Sequence, residues 1–357
     1  MHRRQFLGWS VLAGTVAATG LPRPSRASSA GTNGSAHAAD WAWLIGNWDV
    51  RHRRLRERLM GSNDWQDFGG KSALWATLGG LGNVDDNIIE LPGNSYRGLT
   101  LRAYDPAADR WAIWWLNGRN PTRIDPPVRG RFNGDRGTFI GHDTLRGQPI
   151  VMRFIWRDIH SPRPWWEQAF SADDGAHWEV NWRNWFTRTA AQPSPLSLAD
   201  DAPEDWRFLR GRWRVHHRRL REGAVGNDDA SWQSFGGELT NWPVLGGHAD
   251  ISDERMELPQ GVAHVVGMHT HDAPRHQWLA WQLDGRDPAD IATPLRGGFN
   301  DGVANFRGET QRDGKTLATR ISWARGGPNS VRREHSISED GGATWKAEWN
   351  SELERIG

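Results

Sequence analysis

Trp65-Gln66-Asp67-Phe68-Gly69-Gly70 returns downstream as Trp232-Gln233-Ser234-Phe235-Gly236-Gly237. Ser171-Ala172-Asp173-Asp174-Gly175-Ala176-His177-Trp178 returns as Ser338-Glu339-Asp340-Gly341-Gly342-Ala343-Thr344-Trp345. The displacement is shared: 232 minus 65 and 338 minus 171 are both 167. It holds without a gap from Trp65 to Trp182, with roughly a third of the positions identical. A constant displacement means two copies of one folded unit. The chain therefore carries its own two-sequence comparison, which reports what the fold requires more readily than what a ligand is.

The first copy covers residues 40–188 and the second 204–355, each an ordinary domain size. Residues 189–203 contain Gln192-Pro193-Ser194-Pro195 and an acidic end, and read as a linker. Each copy is a series of short alternating runs broken by Gly, Pro, Asn and Asp. Arg110 to Leu116, Ile150 to Trp156 and Trp165 to Phe170 are predicted strands. Gln277 to Leu283, Leu317 to Trp323 and Arg332 to Ile337 are their counterparts. Helical periodicity of useful length is missing, apart from single turns near Asp40 to Leu44 and Pro203 to Leu209. Strands spaced by about 8–12 residues imply a sandwich or a barrel.

With 44 basic and 43 acidic residues the net charge is +1, so bulk attraction to nucleic acid or an anionic membrane is not indicated. Cysteine is absent, which removes disulfides, thiolate metal sites and cysteine nucleophiles. Tryptophan is the outlier, at 24 against 2 tyrosines. An indole brings large apolar area and one N–H donor. Such a composition suits either a tightly filled barrel or a cavity for a flat ligand.

Residues 1–39 read as a signal peptide and leader. Arg3-Arg4-Gln5-Phe6-Leu7-Gly8 precedes an apolar stretch from Trp9 to Leu21, with small residues at Ser28-Ser29-Ala30 and Ala36-His37-Ala38. The paired arginines followed by an aromatic residue and Leu indicate the twin-arginine route; a general secretory signal is the alternative. The stretch is too short to span a bilayer, so the expectation is a soluble, periplasmic or secreted protein without stable membrane insertion after cleavage. Gly31 to Ala39 is expected to be disordered.

In the Ser-x-Asp-x-Gly-x-x-Trp element, Asp173 and Asp340 can accept backbone N–H bonds, and Gly175 and Gly342 supply a positive φ. The spacing matches the Asp-box hairpin of sialidases, but with one box per domain it is expected to be a structural turn.

Gly46-Asn47-Trp48 and Gly211-Arg212-Trp213 open the copies. This Gly-x-Trp resembles the lipocalin and wider calycin signature. The whole copy resembles an uncharacterised bacterial family of lipocalin-like domains. Its marks are Trp65 to Gly70, Asp125 to Phe132 and Trp166 to Trp178. The second copy keeps the first mark, and Pro294-Leu295-Arg296-Gly297-Gly298-Phe299 of the second. It replaces the third with Arg333-Glu334-His335-Ser336-Ile337-Ser338. The resemblance implies an all-β fold of two tandem lipocalin-like up-and-down antiparallel β-barrels. It also implies that Trp48 faces a barrel interior, and it brings no established activity.

With Trp48 inward, alternation points Val50, His52, Arg54 and Arg56 inward too, and Trp213, Val215, His217, Arg219 and Arg221 repeat this. Inward polar side chains need partners, water or a ligand. Arg54 and Arg219 either hold an anionic or hydroxylated ligand or cap the barrel end over a Trp. Glu167 matches Glu334, and Arg153 matches Arg320. Each Glu either pairs with its Arg across neighbouring strands or works with His52 or His217 as an acid–base pair. Trp114, Trp156, Trp281 and Trp323 are either core or cavity lining. Arg119 and Arg286 follow turns and sit at a barrel mouth, where each could clamp a carboxylate. His269 and His271 would share one face, read as solvated rather than metal-binding.

Three functions remain open on these residues. The first is an exported binder of an amphipathic, aromatic or anionic small molecule. The second is a cofactor-free lyase, hydratase or isomerase. The third is a structural or interaction protein with filled barrels. Neither a cofactor nor a metal is expected, and the sequence leaves the oligomeric state open.

Overall fold

A computed structural model describes residues 37–221, 231–312 and 314–357. The twin-arginine segment lies outside the described residues. Two closed ten-stranded antiparallel barrels follow one another. The first is built from β1 (Gly46–Leu55), β2 (Trp65–Thr77), β3 (Gly82–Ile89), β4 (Tyr96–Asp105), β5 (Arg110–Asn117), β6 (Val128–Asn133), β7 (Arg136–Leu145), β8 (Gln148–Arg157), β9 (Trp165–Ser171) and β10 (Glu179–Ala190). The second is built from β11 (Gly211–Leu220), β12 (Trp232–Val244), β13 (Ala249–Leu258), β14 (Gly261–Asp272), β15 (Gln277–Asp284), β16 (Leu295–Asn300), β17 (Val303–Arg312), β18 (Lys315–Gly327), β19 (Ser330–Ser338) and β20 (Lys346–Arg355). Each strand pairs with its sequence neighbours, and β1–β10 and β11–β20 pairing closes the rings. The up-and-down topology is as expected. Ten strands per barrel exceed the eight of a lipocalin barrel. Among the described residues no helix is long and apolar enough to cross a membrane.

Aromatic side chains fill one end of each barrel. In the first, Trp41, Trp48, Trp111, Phe132, Phe139, Trp156 and Phe186 form one buried cluster. Trp206, Trp213, Trp278, Phe306 and Trp323 do the same in the second. The short turn before each first strand supplies a plug. Trp48 and Trp213 donate their indole N–H to the carbonyls of Leu44 and Leu209, both at 2.7 Å. Arg188 and Arg355 stack over those indoles at 4.1 and 4.2 Å. The His37 carbonyl accepts the Trp111 N–H at 3.0 Å, so the leader is docked from His37 onward rather than disordered to Ala39.

The barrels meet through the outer faces of β2–β5 and β12–β15. Trp75 packs on Trp242 at 5.4 Å, and Leu99, Leu101, Trp114, Val266, Met268 and Leu283 join the same cluster. A two-fold relation is visible in the backbone bonds. Leu78 N–H donates to Asp253 and Leu245 N–H donates to Asp86, both at 3.1 Å. Burial pushes both carboxyls up to about 6. The inter-copy segment is pinned across both units: Asn47 bonds Ser194, Arg97 bonds Ser197, and Ala199 N–H donates to Gly246 O.

This interface corrects the expectation for Trp114 and Trp281. Both point outward, Trp114 into the inter-barrel cluster and Trp281 against its edge. Strands covered on both faces lose the polar–apolar alternation that gives phase. In β5 the neighbouring Trp115 faces inward instead, lying so close over Gly98 that a Cβ there would come within 2.1 Å of the ring.

Candidate functional site

Both barrels place the first-strand histidine in the same slot. The His52 ring lies on Phe68 at 4.9 Å and 15°, and His217 on Phe235 at 4.7 Å and 23°. A Cβ on Gly70 would sit 2.6 Å from His52 Nε2, and one on Gly237 2.9 Å from His217 Nε2. Phe and the second Gly of the repeated Trp-Gln-x-Phe-Gly-Gly are thus two walls of one slot. His52 Nδ1 lies 2.7 Å from Asn184 Oδ1, and His217 Nδ1 lies 3.1 Å from Ser351 Oγ. Burial pulls both imidazoles down to about 4, so they are neutral at neutral pH.

The carboxylates expected to work with them are elsewhere. Glu167 and Glu334 project from the outer walls of β9 and β19, because their strand neighbours Trp166, Gln168, Arg333 and His335 take the inward positions. Glu167 lies 3.6 Å from both Arg157 and Arg183, not in an ion pair with Arg153; Glu334 lies 3.6 Å from Arg320. Arg153 and Arg320 stack on Trp178 and Trp345 at 4.2 and 4.6 Å, which ties each Asp-box hairpin to the outer wall. The hairpins are structural turns. Ser171 Oγ and Ser338 Oγ accept from Gly175 and Gly342 at 2.8 and 2.7 Å, and Asp173 and Asp340 accept from His177 and Thr344. Trp156 and Trp323 face inward but are 4% and 5% exposed inside the aromatic plugs, so they line no open space. Arg56 lies beyond the end of β1, is exposed, and pairs with Asp64 at 3.1 Å.

The second barrel centres on a buried ion pair absent from the expectations. Arg333 donates to both oxygens of Glu254 at 2.9 and 2.7 Å. His217 Nε2 is 3.6 Å from Glu254. Burial pushes the Glu254 carboxyl up, but Arg333 overrides this and holds it below its ordinary range. His335, stacked on Trp349 at 5.4 Å, is pulled down to about 3 by burial. Strand alternation from Val331 would have placed Arg333 and His335 inside. His269 and His271 also face inward rather than forming a solvated face: His269 stacks on Trp206 at 3.9 Å and bonds Asp250 at 3.0 Å, and His271 packs on Trp278.

The first barrel has Asn87 where the second has Glu254, carries its own buried ion pair between Arg102 and Asp85 at 2.8 Å, and places further charge at its open end. Arg54, inward as expected, stacks on Trp182 at 4.7 Å and approaches Tyr96 Oη at 3.5 Å. Arg119 covers the Tyr96 ring at 3.9 Å and bonds the Asn94 carbonyl. Arg58, half-buried, joins them. Its guanidinium is pushed down to about 10 by burial and by the nearby Arg54 charge, with Glu179 opposing the shift. Among the described residues none of these three arginines makes an ion pair with a carboxylate. Trp115, half-buried, faces the same mouth. In the second barrel Arg219 stacks on Trp349 at 5.5 Å. Arg286 is held by Asp284 through bonds of 2.9 and 2.6 Å, so its charge is balanced.

Among the described residues, cavities occur on the outer wall of the first barrel and beside its plug. One of about 420 Å³ lies on the outer wall of β1, β2 and β10. One of about 330 Å³ lies between Ala38–Ile45 and Ala76–Asn83. Among the described residues no group of three or more His, Asp or Glu is arranged to hold a metal.

No family model matches the chain, and no curated protein matches it. Among solved structures, the chain is similar to a DUF3598-family protein of unknown function from Nostoc punctiforme. That match has 11% identity and a TM-score of 0.28, over 90% of this chain and 99% of that one. It is also similar to a mutant of the vaccine antigen transferrin binding protein B from Haemophilus parasuis. There the identity is 7% and the TM-score 0.19, over 87% of this chain and 75% of that one. Identities and scores this low transfer nothing to this chain.

Proposed function

We propose that this protein is an exported binder of a small, flat anion, and that the ligand sits at the mouth of the first barrel rather than deep inside it. The carrying observation is the convergence of Arg54, Arg58 and Arg119 on Tyr96, with no carboxylate paired to any of them among the described residues. Like charges gathered this closely repel, and an anion between them relieves the repulsion while making charge-assisted hydrogen bonds. Trp115, Tyr96 and Trp182 provide aromatic faces for a flat partner. The plug of Trp41, Trp111 and Trp156 below leaves the depth of the barrel to packing. The acid–base alternative loses its support, since Glu167 and His52 point to opposite sides of the barrel wall. Export rests on Arg3-Arg4 and the apolar run that follows.

The test is untargeted mass spectrometry of the protein purified from its native envelope, beside an Arg54→Ala, Arg119→Ala double variant. An anionic aromatic compound recovered with the natural protein and depleted at least about tenfold in the variant is expected. Equal recovery from both would remove the mouth as the site.

A further inference from the structure

The outer wall of the first barrel carries a row that the second barrel lacks. Strand register aligns Arg51 of β1 with Trp185 of β10, Trp185 with Trp165 of β9, and Trp165 with Arg157 of β8. These side chains face outward, and both indoles are half-exposed. Neighbouring strands lie about 4.8 Å apart, so the four side chains span roughly 14 Å. Arg51 stands over Trp185 at 5.5 Å and Arg157 over Trp165 at 5.3 Å. Trp165 is fixed by a 2.8 Å bond from its N–H to Asp158. The 420 Å³ groove runs beside this row, lined by Gly69, Arg51, Trp185, Thr187, Asp67 and Arg163.

The matching row of the second barrel reads His216, Glu352, Arg332, Ala324. Glu352 and Arg332 neutralise each other at 3.7 Å, an ordinary surface ion pair. Arg163 is matched by Ser330. The fold therefore requires neither the two indoles nor the arginines around them.

We propose that this row and its groove bind an acidic oligosaccharide, a chain of pyranose rings bearing carboxylates. Indoles on neighbouring strands of the barrel wall can stack on the C–H faces of successive sugar rings. Asp67 and Thr187 accept from and donate to ring hydroxyls. Arg51 and Asp67 already pair at 3.0 Å, and Asp49 pairs with Lys71 at 2.9 Å, so the groove's carboxylates are balanced from within. Arg163 makes no ion pair among the described residues and selects a carboxylate over a neutral sugar, whereas Arg157, beyond the far indole, already lies 3.6 Å from Glu167. This site stands apart from the barrel mouth and does not depend on it.

The experiment titrates the intact protein with oligogalacturonate, neutral maltohexaose and polyglutamate by calorimetry. The key variant, Trp165→Arg with Trp185→Glu, copies the wall that the second barrel already tolerates, and circular dichroism checks its fold. Saturable binding of oligogalacturonate, weakened tenfold or more in the double variant and kept in Arg54→Ala, is expected. No binding by the natural protein, or undiminished binding by the folded double variant, overturns the proposal. Equal binding of maltohexaose removes the acid requirement and equal binding of polyglutamate removes the sugar, and either result also overturns it.

Discussion

The polar halves of the two barrels share a frame and differ in how they handle charge. Both keep the histidine slot, with Phe68 and Gly70 in one and Phe235 and Gly237 in the other. Beside it the first barrel uses amides: Gln168 donates to Asn181 at 2.8 Å, and His52 meets Asn184. The second uses the Glu254–Arg333 pair. At the mouth the pattern reverses. Arg286 is neutralised by Asp284, while Arg119 lies on Tyr96 with Arg54 and Arg58 nearby. Both copies hold a buried ion pair, Arg102–Asp85 at 2.8 Å in the first and Arg333–Glu254 at 2.7 Å in the second; the first also gathers Arg54, Arg58 and Arg119 at its mouth. The proposed binding site accordingly lies in the first barrel.

The largest expected effect tests whether the internal pair is self-contained. Glu254→Ala leaves Arg333 buried without its partner and should cost about 3–5 kcal/mol in urea unfolding. A Glu254→Met, Arg333→Leu double variant should recover most of this. Asn87 occupies the matching place in the first barrel and bonds the Asp85 carboxylate at 2.6 Å, so Asn87→Ala should cost only about 1–2 kcal/mol. Similar losses at Glu254 and Asn87 would show that the two interiors are energetically alike.

Acid should separate the barrels next. The folded values of His52, His217 and His335 lie below the ordinary 6.5, at about 4, 4 and 3. Their contribution is whole above pH 6.5 and is lost as pH falls toward the folded values, at up to about 1.4 kcal/mol per pH unit for each histidine. The second barrel holds two of the three. Burial also lowers His264 and His271 of the same barrel, so hydrogen exchange should show β11–β20 amides losing protection more steeply than β1–β10 between pH 6.5 and 4. Asp86 and Asp253 act oppositely, because raised carboxyls contribute below pH 3.8 and lose that contribution as pH rises through about 6. Their interface is common to both barrels, so it cannot produce the difference. Equal slopes would contradict the assignment.

The smallest effect probes what the barrels share. Gly70→Ala and Gly237→Ala would each press a methyl group on the histidine ring and on a backbone carbonyl, Ile88 O at 2.5 Å and Arg255 O at 2.6 Å. Each should cost about 1–3 kcal/mol in thermal unfolding, and by similar amounts. A cost confined to one copy would mean that the slot is not a common structural element.

Duplication, all-β character, the hairpin turns and the inward row Trp48, Val50, His52, Arg54 were legible in the sequence. A fixed displacement and the two-residue strand period carry that information through local geometry alone. The phase of β5 and β15 was not legible, because both faces of those strands are buried and Trp114 and Trp115 look alike to an alternation rule. The resemblance between Glu167 and Glu334 was legible, but their direction was hidden until Trp166 and Arg333 were seen to take the interior. Which charges meet is a property of strands far apart in the chain: Glu254 finds Arg333 across the barrel, and Arg54 finds Arg119 across its mouth. Sequence spacing has no term for such encounters. Closure of the ring, which brings the last strand against the first, decides them.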